Sequence, residues 1–335
     1  MPVRVAIVGA GLMGRWHAYT ARQLNRPITA VIDQNLEAAQ RLAGRFSGKA
    51  FPSLQDALSA SQFDVVHICT PLSTHYGLAK LALEAGKHVL VEKPIAETCT
   101  QAGELMAMAA EQGVLLCPVH QFAFQSGVDQ LRREMASREA PPTAITFDFA
   151  SAGGEGKALQ ALNQILVEIL PHPFSILLSL WPDADSQALD VGAWLMDNPA
   201  PGELFMHGHY RQIPVSIKLS LSARPTHCHM KLYHAAGAVH VNLFHGYAVQ
   251  ESARVSRFTK LTAPFSLALK TLWAAGLNLV RRALQGEPAY PGLKALVLQF
   301  YTAAETSGPA PLPDRANQQV AAACAEVSAR IVGPA

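Results

Sequence analysis

An apolar run, Val3-Arg-Val-Ala-Ile-Val8, passes directly into Gly9-Ala-Gly11-Leu-Met-Gly14 and then into a pattern of helical period. This order reads as strand, tight turn and helix, and few folds tolerate it outside a βαβ unit. Gly9 permits the sharp turn, Gly11 removes the side chain that would hold a phosphate off the backbone, and Gly14 lets the helix press on the strand. The backbone N–H groups of the turn and the positive end of the helix dipole then face one point, suited to a pyrophosphate lying beside Leu12 and Met13. A second apolar run, Ile28-Thr-Ala-Val-Ile-Asp33, ends in an acid 24 residues after Gly9. That is close to the ~20 residues at which a ribose-binding carboxylate is expected. Packing alone is the competing explanation of the three glycines.

With 335 residues, half of them hydrophobic, the chain is long enough for two domains with a sizeable core. A net charge of +2 supplies no basic field for nucleic acid. Five scattered cysteines without a CxxC pair fit a reducing, cytoplasmic setting. A strand starting at residue 3 leaves no room for a signal peptide.

After the glycine turn, strands and helices alternate. Helices are expected over 15–23, 36–46, 54–60, 73–85 and 100–112, and strands over 28–33, 49–51, 63–69, 88–92 and 114–119, with Gly86 and Gly113 as helix stops. Such alternation predicts a doubly wound parallel sheet, a Rossmann domain over residues 1–121. From about residue 122 the pattern changes to alternating apolar and polar residues over 144–150, 187–196, 204–212, 215–223, 229–233 and 238–244. This predicts an α+β domain over 122–335 with an open, mostly antiparallel sheet, covered on one face by helices over 159–180 and 293–306. A final helix is expected over 316–331.

Leu261 to Val280 carries one charged residue, Lys270. Ser266, Lys270, Ala274, Asn278, Arg281/Arg282 and Gln285 recur at helical steps on one stripe, with Phe265, Leu269, Leu272, Trp273, Leu279 and Val280 on the other. The expectation is therefore an amphipathic helix packed on the core or on another subunit, with a position on a membrane surface as the alternative, and no membrane span. The extension 252–290, with Arg254, Arg257, Lys260 and Lys270, exceeds what a compact pocket requires and suggests a ligand carrying a phosphate or a lipid.

Val89-Leu-Val-Glu92-Lys93-Pro94 ends a central strand at the edge where open α/β sheets bind ligands. A lysine there can hold a substrate hydroxyl, and a cis Lys-Pro bond would aim it into the cleft. In the second half, seven histidines (207, 209, 227, 229, 234, 240 and 245) include two i, i+2 pairs. Zinc is one reading of them; polar residues on a half-exposed sheet face account for them without a metal, and none is expected.

At these motifs the chain resembles the Gfo/Idh/MocA family of sugar and polyol dehydrogenases. Gly9-Ala-Gly11-Leu-Met-Gly14-Arg-Trp-His17 matches its opening, Cys69-Thr70-Pro71-Leu-Ser-Thr-His75 its fourth strand and loop, and Ala85 to Pro94 its Glu-Lys-Pro signature. The resemblance implies an oxidoreductase moving a hydride between NAD(H) and a carbinol carbon of a sugar, polyol or sugar nucleotide, in a homo-oligomer, dimer or tetramer. Cofactor contacts are then expected from Gly9, Gly11, Leu12, Met13, Gly14, Asp33, Thr70, Pro71, His75, Glu92, Lys93 and Gln121. Asp33 favours NAD over NADP, since it would repel a 2′-phosphate and Gln34-Asn35 supply no cation.

The family's Asp-x-Gly-x-His stretch aligns with Glu168-Ile-Leu-Pro171-His172, which makes Lys93, His172 and Glu168 the candidate catalytic groups. Glutamate stands for aspartate there, and prolines flank the histidine. Pro173 as a first helical residue would place His172 at a positive helix end, favouring a neutral imidazole able to act as base with Lys93 polarising the same oxygen. The loop His120-Gln121-Phe122-Ala123 replaces the family's usual asparagine and offers no arginine. Two alternatives stay open: the resemblance also allows transient use of NAD in an elimination or epimerisation without net redox change, and the altered 168–173 stretch allows an NAD sensor without catalysis.

Overall fold

The computed structural model describes residues 2–137, 140–181, 188–253 and 256–333. The first unit comprises residues 1–120 and 293–322, the second residues 121–292 and 323–335.

In the first unit, β1 (Val5–Val8), β2 (Ile28–Ile32), β3 (Lys49–Phe51), β4 (Val65–Ile68), β5 (His88–Val91) and β6 (Leu116–Pro118) form one sheet in the order β3-β2-β1-β4-β5-β6. All of its pairings are parallel. The strands are unbroken apolar runs because helices cover both faces. Those helices are α1 (Leu12–Gln23), α2 (Leu36–Gly44), α3 (Leu54–Ala60), α4 (His75–Glu84) and α5 (Cys99–Gln112). Their ends follow local chemistry: Asn35 and Ser53 accept N-cap bonds from Ala38 and Asp56, Thr98 and Gln101 form a capping box, and Gly113 closes α5 in the left-handed region. The strand order reverses direction between β1 and β4, so ligands belong at the carboxyl ends of those strands.

In the second unit, α6 (Ser126–Ala136) precedes β7 (Ala144–Ala150), followed by α7 (Leu159–Ile169) and α8 (Pro171–Ser179). Next come β8 (Leu195–Asp197), β9 (Glu203–Tyr210), β10 (Ile213–Ser220), β11 (His227–His234), β12 (Gly237–Asn242) and β13 (Tyr247–Ser252), then α9 (Arg257–Leu284). The seven strands make an open sheet in the order β13-β12-β11-β7-β10-β9-β8. It is antiparallel except for β7 with β10. Strand alternation buries Ile145, Phe147, Phe149, Ile217, Leu219, Met230 and Leu232, and leaves Thr146, Asp148, His229 and Lys231 on the other face.

Several expectations are corrected. The strand expected over 187–196 is a 3-10 turn at Val191–Ala193 and the short β8; residue 187 lies outside the described residues. Strand β13 corresponds to none of the expected strands. The helix expected over 159–180 is broken in two at Leu170-Pro171. Among the described residues, 159–179 is the stretch long and apolar enough to cross a membrane, and most of its apolar window is buried within the protein. The largest correction concerns α10 (Leu293–Thr306), which packs on α1 and belongs to the first unit, so residues 122–335 are not one domain. The last helix, α11, spans Asp314–Ile331.

Candidate cofactor and substrate site

Each glycine of the first turn does a different job. Gly9 has φ +97°, and a Cβ on it would meet the carbonyl oxygen of Cys69 at 2.7 Å. A Cβ on Gly14 would lie 1.7 Å from the carbonyl oxygen of Gly9, so α1 can press on β1 only without one. Around Gly11 there is nothing within 4 Å of such a Cβ. Gly11 is the N-cap of α1 with φ −69°, a conformation open to any residue, and no side chain caps the helix. Its missing side chain leaves open space directly before uncapped N–H groups, which is what a pyrophosphate requires. Leu12, 56% exposed, borders that space, with Met13 half-buried beside it.

Asp33 stands at the carboxyl end of β2. Its Oδ2 accepts the N–H of Ala10 at 2.7 Å and its Oδ1 that of Asn35 at 2.8 Å, so the acid ties the glycine turn to the start of α2. A carboxylate has about four acceptor positions, and two remain for ribose hydroxyls. These residues fit a dinucleotide.

Thr70 and Pro71 leave β4 at the same sheet edge. His75, expected to line the cofactor, is buried, and its two ring nitrogens bridge the carbonyl oxygens of Pro94 and Thr70, each at 2.8 Å. It braces the loops that follow β4 and β5 against each other. The Lys93-Pro94 bond is cis.

Glu92 is held by a chain of groups that no sequence pattern announced. His17 Nε2 lies 3.1 Å from Glu92 Oε1, His17 Nδ1 lies 2.8 Å from His67 Nδ1, and His67 Nε2 lies 3.0 Å from the Tyr301 hydroxyl. An ionised Glu92 can only accept, so His17 donates from Nε2 and accepts at Nδ1. His67 then donates from Nδ1, and Tyr301 donates to His67 Nε2. One assignment of protons satisfies all three bonds with both rings neutral. The sequence clue was a histidine inside the buried run 63–69, which had to find a partner.

Burial first, and the neighbouring His17 next, hold His67 well below the usual histidine range. His120, buried at the end of β6, is pushed down to about 3, by burial first and by the Lys93 ammonium next. Lys93 therefore has a neutral imidazole close by. Both histidines are neutral when folded and take up a proton on unfolding, so the unfolded chain binds more protons once pH falls below about 6.5. Stability is full above that pH and declines below it, by roughly 1 kcal/mol per histidine per pH unit. Urea unfolding midpoints measured between about pH 7.5 and 5.5 should fall, and fall less steeply in His67→Gln. Equal slopes would show that His67 is not a source of the acid sensitivity.

In the second unit, α8 begins at Pro171 with Leu170 as its cap, two residues earlier than the expected start at Pro173 and cap at His172. Pro171 and Pro173 occupy first-turn positions whose N–H groups need no helical partner. Leu170 is itself in the right-handed helical region, and its N–H bonds the Leu166 carbonyl. His172 thus lies at a kink between two abutting helices. The isolated positive helix end expected there is absent, and the dipole argument for its neutrality fails with it. Its ring stacks on Phe122, centroids 4.2 Å apart at 19°. Glu168 is half-buried on α7, before the kink.

Gln121, expected to touch cofactor, is buried in the 3-10 turn Gln121–Phe124, and its Oε1 has no hydrogen-bond partner among the described residues. That loop is not without an arginine: Arg132 of α6 donates to the Ala123 carbonyl at 2.6 Å and pairs with Asp129. Arg132 lies in the second turn of the helix that follows the loop, and its side chain reaches back to it.

The histidines of the second sheet sit among charges. His227 and His229 stack with centroids 5.1 Å apart, Asp148 lies 3.2 Å from His227, and Glu251 accepts from His240 at 2.8 Å. Among the described residues no group of three or more His, Cys, Asp or Glu side chains is set to hold a metal.

The fold and the first site define a dinucleotide-binding Rossmann domain followed by an α+β domain with an open sheet. Residues 3–120 match the family described as "Oxidoreductase family, NAD-binding Rossmann fold". Over those residues the chain is similar to the Gfo/Idh/MocA oxidoreductases. Similar sequences include UDP-N-acetylglucosamine 3-dehydrogenase from Acidithiobacillus ferrooxidans, 35% identical over 156 residues, 44% of this chain and 49% of that protein. D-glucoside 3-dehydrogenase from Escherichia coli is 37% identical over 139 residues, 41% of this chain and 40% of that protein. These matches span half or less of the curated relatives' length. A solved structure of the Acidithiobacillus ferrooxidans enzyme aligns with 99% of this chain and 98% of its own at a TM-score of 0.75. At 19% identity that is a likeness of fold.

Proposed function

We propose that the protein is an NAD(H)-dependent oxidoreductase that moves a hydride between the nicotinamide and a carbinol carbon of a sugar, polyol or sugar nucleotide. The observation that carries this reading is the edge of the first sheet. There the open space at Gly11, the braced carboxylate of Asp33 and the Glu92-Lys93-Pro94 turn all follow the carboxyl ends of parallel strands. NAD, when bound, supplies the hydride chemistry, and the protein orients the reactants and manages one proton.

In this proposal Lys93 donates to the substrate hydroxyl and steadies the negative charge that develops on its oxygen. The chain from Tyr301 to Glu92 fixes the residue immediately before it. His172 accepts the substrate proton, its ring plane set by Phe122, and Glu168 holds a further hydroxyl. The relatives named for a sugar nucleotide and a glucoside support this substrate class. The test is a panel of sugars, polyols and sugar nucleotides with NAD or NADP, followed by nicotinamide absorbance. Failure of every bound ligand to exchange hydrogen with the nicotinamide would overturn the proposal.

Cofactor choice is a separate expected result. NAD should be preferred, because Asp33 repels a 2′-phosphate and no cation follows it at Gln34 or Asn35. Asp33→Ala should erase the preference and also weaken NAD by about 10-fold or more, since it releases two charge-assisted bonds that shape the turn. Comparable kcat/KM for the two cofactors in the unmodified protein would refute the assignment.

A further inference from the structure

Helix α9 is turned opposite to the usual arrangement. The stripe that faces its own domain is Leu267, Thr271, Ala274, Asn278 and Arg282, each half-buried, and mostly small or polar. Asn278 donates to the His245 carbonyl at 2.8 Å and Lys270 to the Gln250 carbonyl at 3.2 Å, which fasten the helix through polar atoms. Leu267 and Thr271 close a cavity of about 330 Å³ over Asp148, His229, Lys231 and His240 of the sheet. The apolar stripe faces outward. Phe258, Leu261, Phe265, Leu269 and Trp273 recur at steps of three and four, with Leu272 three residues after Leu269, and are 56–75% exposed. No residue of the 28 is buried. Of the two packings expected from the sequence, on the core or on another subunit, the first is therefore not what this face does.

Ten large apolar side chains exposed on one helix are far more than a soluble surface carries by chance. The charge on the helix selects the occupant. Arg257 and Lys260 stand at its start, Lys270 in its middle and Arg281 and Arg282 in its last turn, with no Asp or Glu between them. Lys270 and Arg282 bond backbone carbonyls of their own domain, and Arg257, Lys260 and Arg281 stand exposed beside the apolar face. A second copy laid on this face by a two-fold axis would set these three exposed cations against three without one intervening acid on either helix. An anionic lipid surface meets both features: acyl chains for the apolar stripe and headgroup phosphates for the cations, with the aromatic Trp273 suited to the boundary.

We propose that α9 docks the protein in the plane of an anionic bilayer surface, its apolar stripe in the headgroup and acyl boundary. The docking is a property of the second unit and does not rest on the catalytic reading. Each Lys or Arg near such a surface is worth about a 5-fold change in binding. The test is co-sedimentation of the full chain with vesicles of phosphatidylcholine alone or with about 30% phosphatidylglycerol. Binding should rise by about 100-fold or more with the anionic lipid and weaken in high salt. The exposed double variant Phe265→Glu/Leu272→Glu should keep its circular dichroism and thermal midpoint and lose binding by about 100-fold or more. Brominated lipid should quench tryptophan emission in the unmodified protein and not in Trp273→Phe, a readout that stands even where the double variant folds poorly. Lack of binding to anionic vesicles, or quenching unchanged in Trp273→Phe, would overturn the proposal. So would a stable dimer that Phe265→Glu/Leu272→Glu converts to monomer without vesicle binding, which would assign the face to a second copy.

Discussion

Lys93→Met should leave NAD affinity within about 3-fold of the unmodified protein while kcat falls by about 10²-fold or more. The methionine keeps the length and apolar stem of the side chain and removes the charge. A charge that acts on the oxygen as hydride leaves carbon stabilises the transition state more than the bound substrate, so kcat and kcat/KM should fall together. Removing the ammonium also takes away the neighbour that adds to the burial of His120 in keeping that imidazole neutral. His120 should then titrate at a higher pH, measurable by the chemical shifts of its ring protons. A parallel measurement on His172→Ala separates a base from a packing residue. Loss of kcat by about 10²-fold with cofactor affinity retained identifies the base. Loss of thermal stability alone would assign His172 to its stack on Phe122. If Lys93→Met retains kcat, the polarising role proposed for the lysine is wrong.

The second large effect contrasts two glycines three residues apart. Gly14→Ala places a methyl 1.7 Å from the Gly9 carbonyl oxygen, a backbone atom that cannot rotate away. Helix α1 must then move off β1, at a cost of about 3 kcal/mol, and with it the N–H groups offered to the pyrophosphate. NAD affinity should fall by about 100-fold or more, together with the unfolding midpoint. Gly11→Ala puts the same methyl into open space, at a backbone conformation alanine accepts. Its stability should be unchanged or slightly raised, while NAD affinity falls by about 10-fold or more because the methyl occupies the phosphate's approach. Titration by nicotinamide fluorescence and a denaturant curve on each variant provide the comparison. If Gly11→Ala binds NAD normally, the open space at the head of α1 is not the phosphate site.

The first domain was readable because its determinants are local. Asn35, Ser53 and Thr98 cap helices with partners three residues away, Gly113 ends a helix on its own dihedral angles, and the glycines sort by the turn they sit in. The second domain was read less well. Strand β8 pairs over only three residues, and β13 lies on the sheet edge beside β12, so each owes its form more to a neighbour than to its own pattern. Pro173 is a helix-start residue by its own chemistry, yet the helix begins at Pro171, because Leu170 continues the preceding turn.

Sequence alone determined the order of the first sheet's elements, the glycine turn, Asp33 and the Glu92-Lys93-Pro94 edge, because hydrophobic period and backbone chemistry act over a few residues. Only the tertiary structure decided the long-range pairings. It set Tyr301 against His67, 234 residues away in sequence, and returned α10 to the first unit. It also turned the apolar side of α9 to the outside. Periodicity shows that a helix has two unlike faces; which of them meets the protein depends on what the facing sheet offers. Here that sheet offers Asp148, His229, Lys231 and His240, and a polar surface is matched by the polar face of the helix.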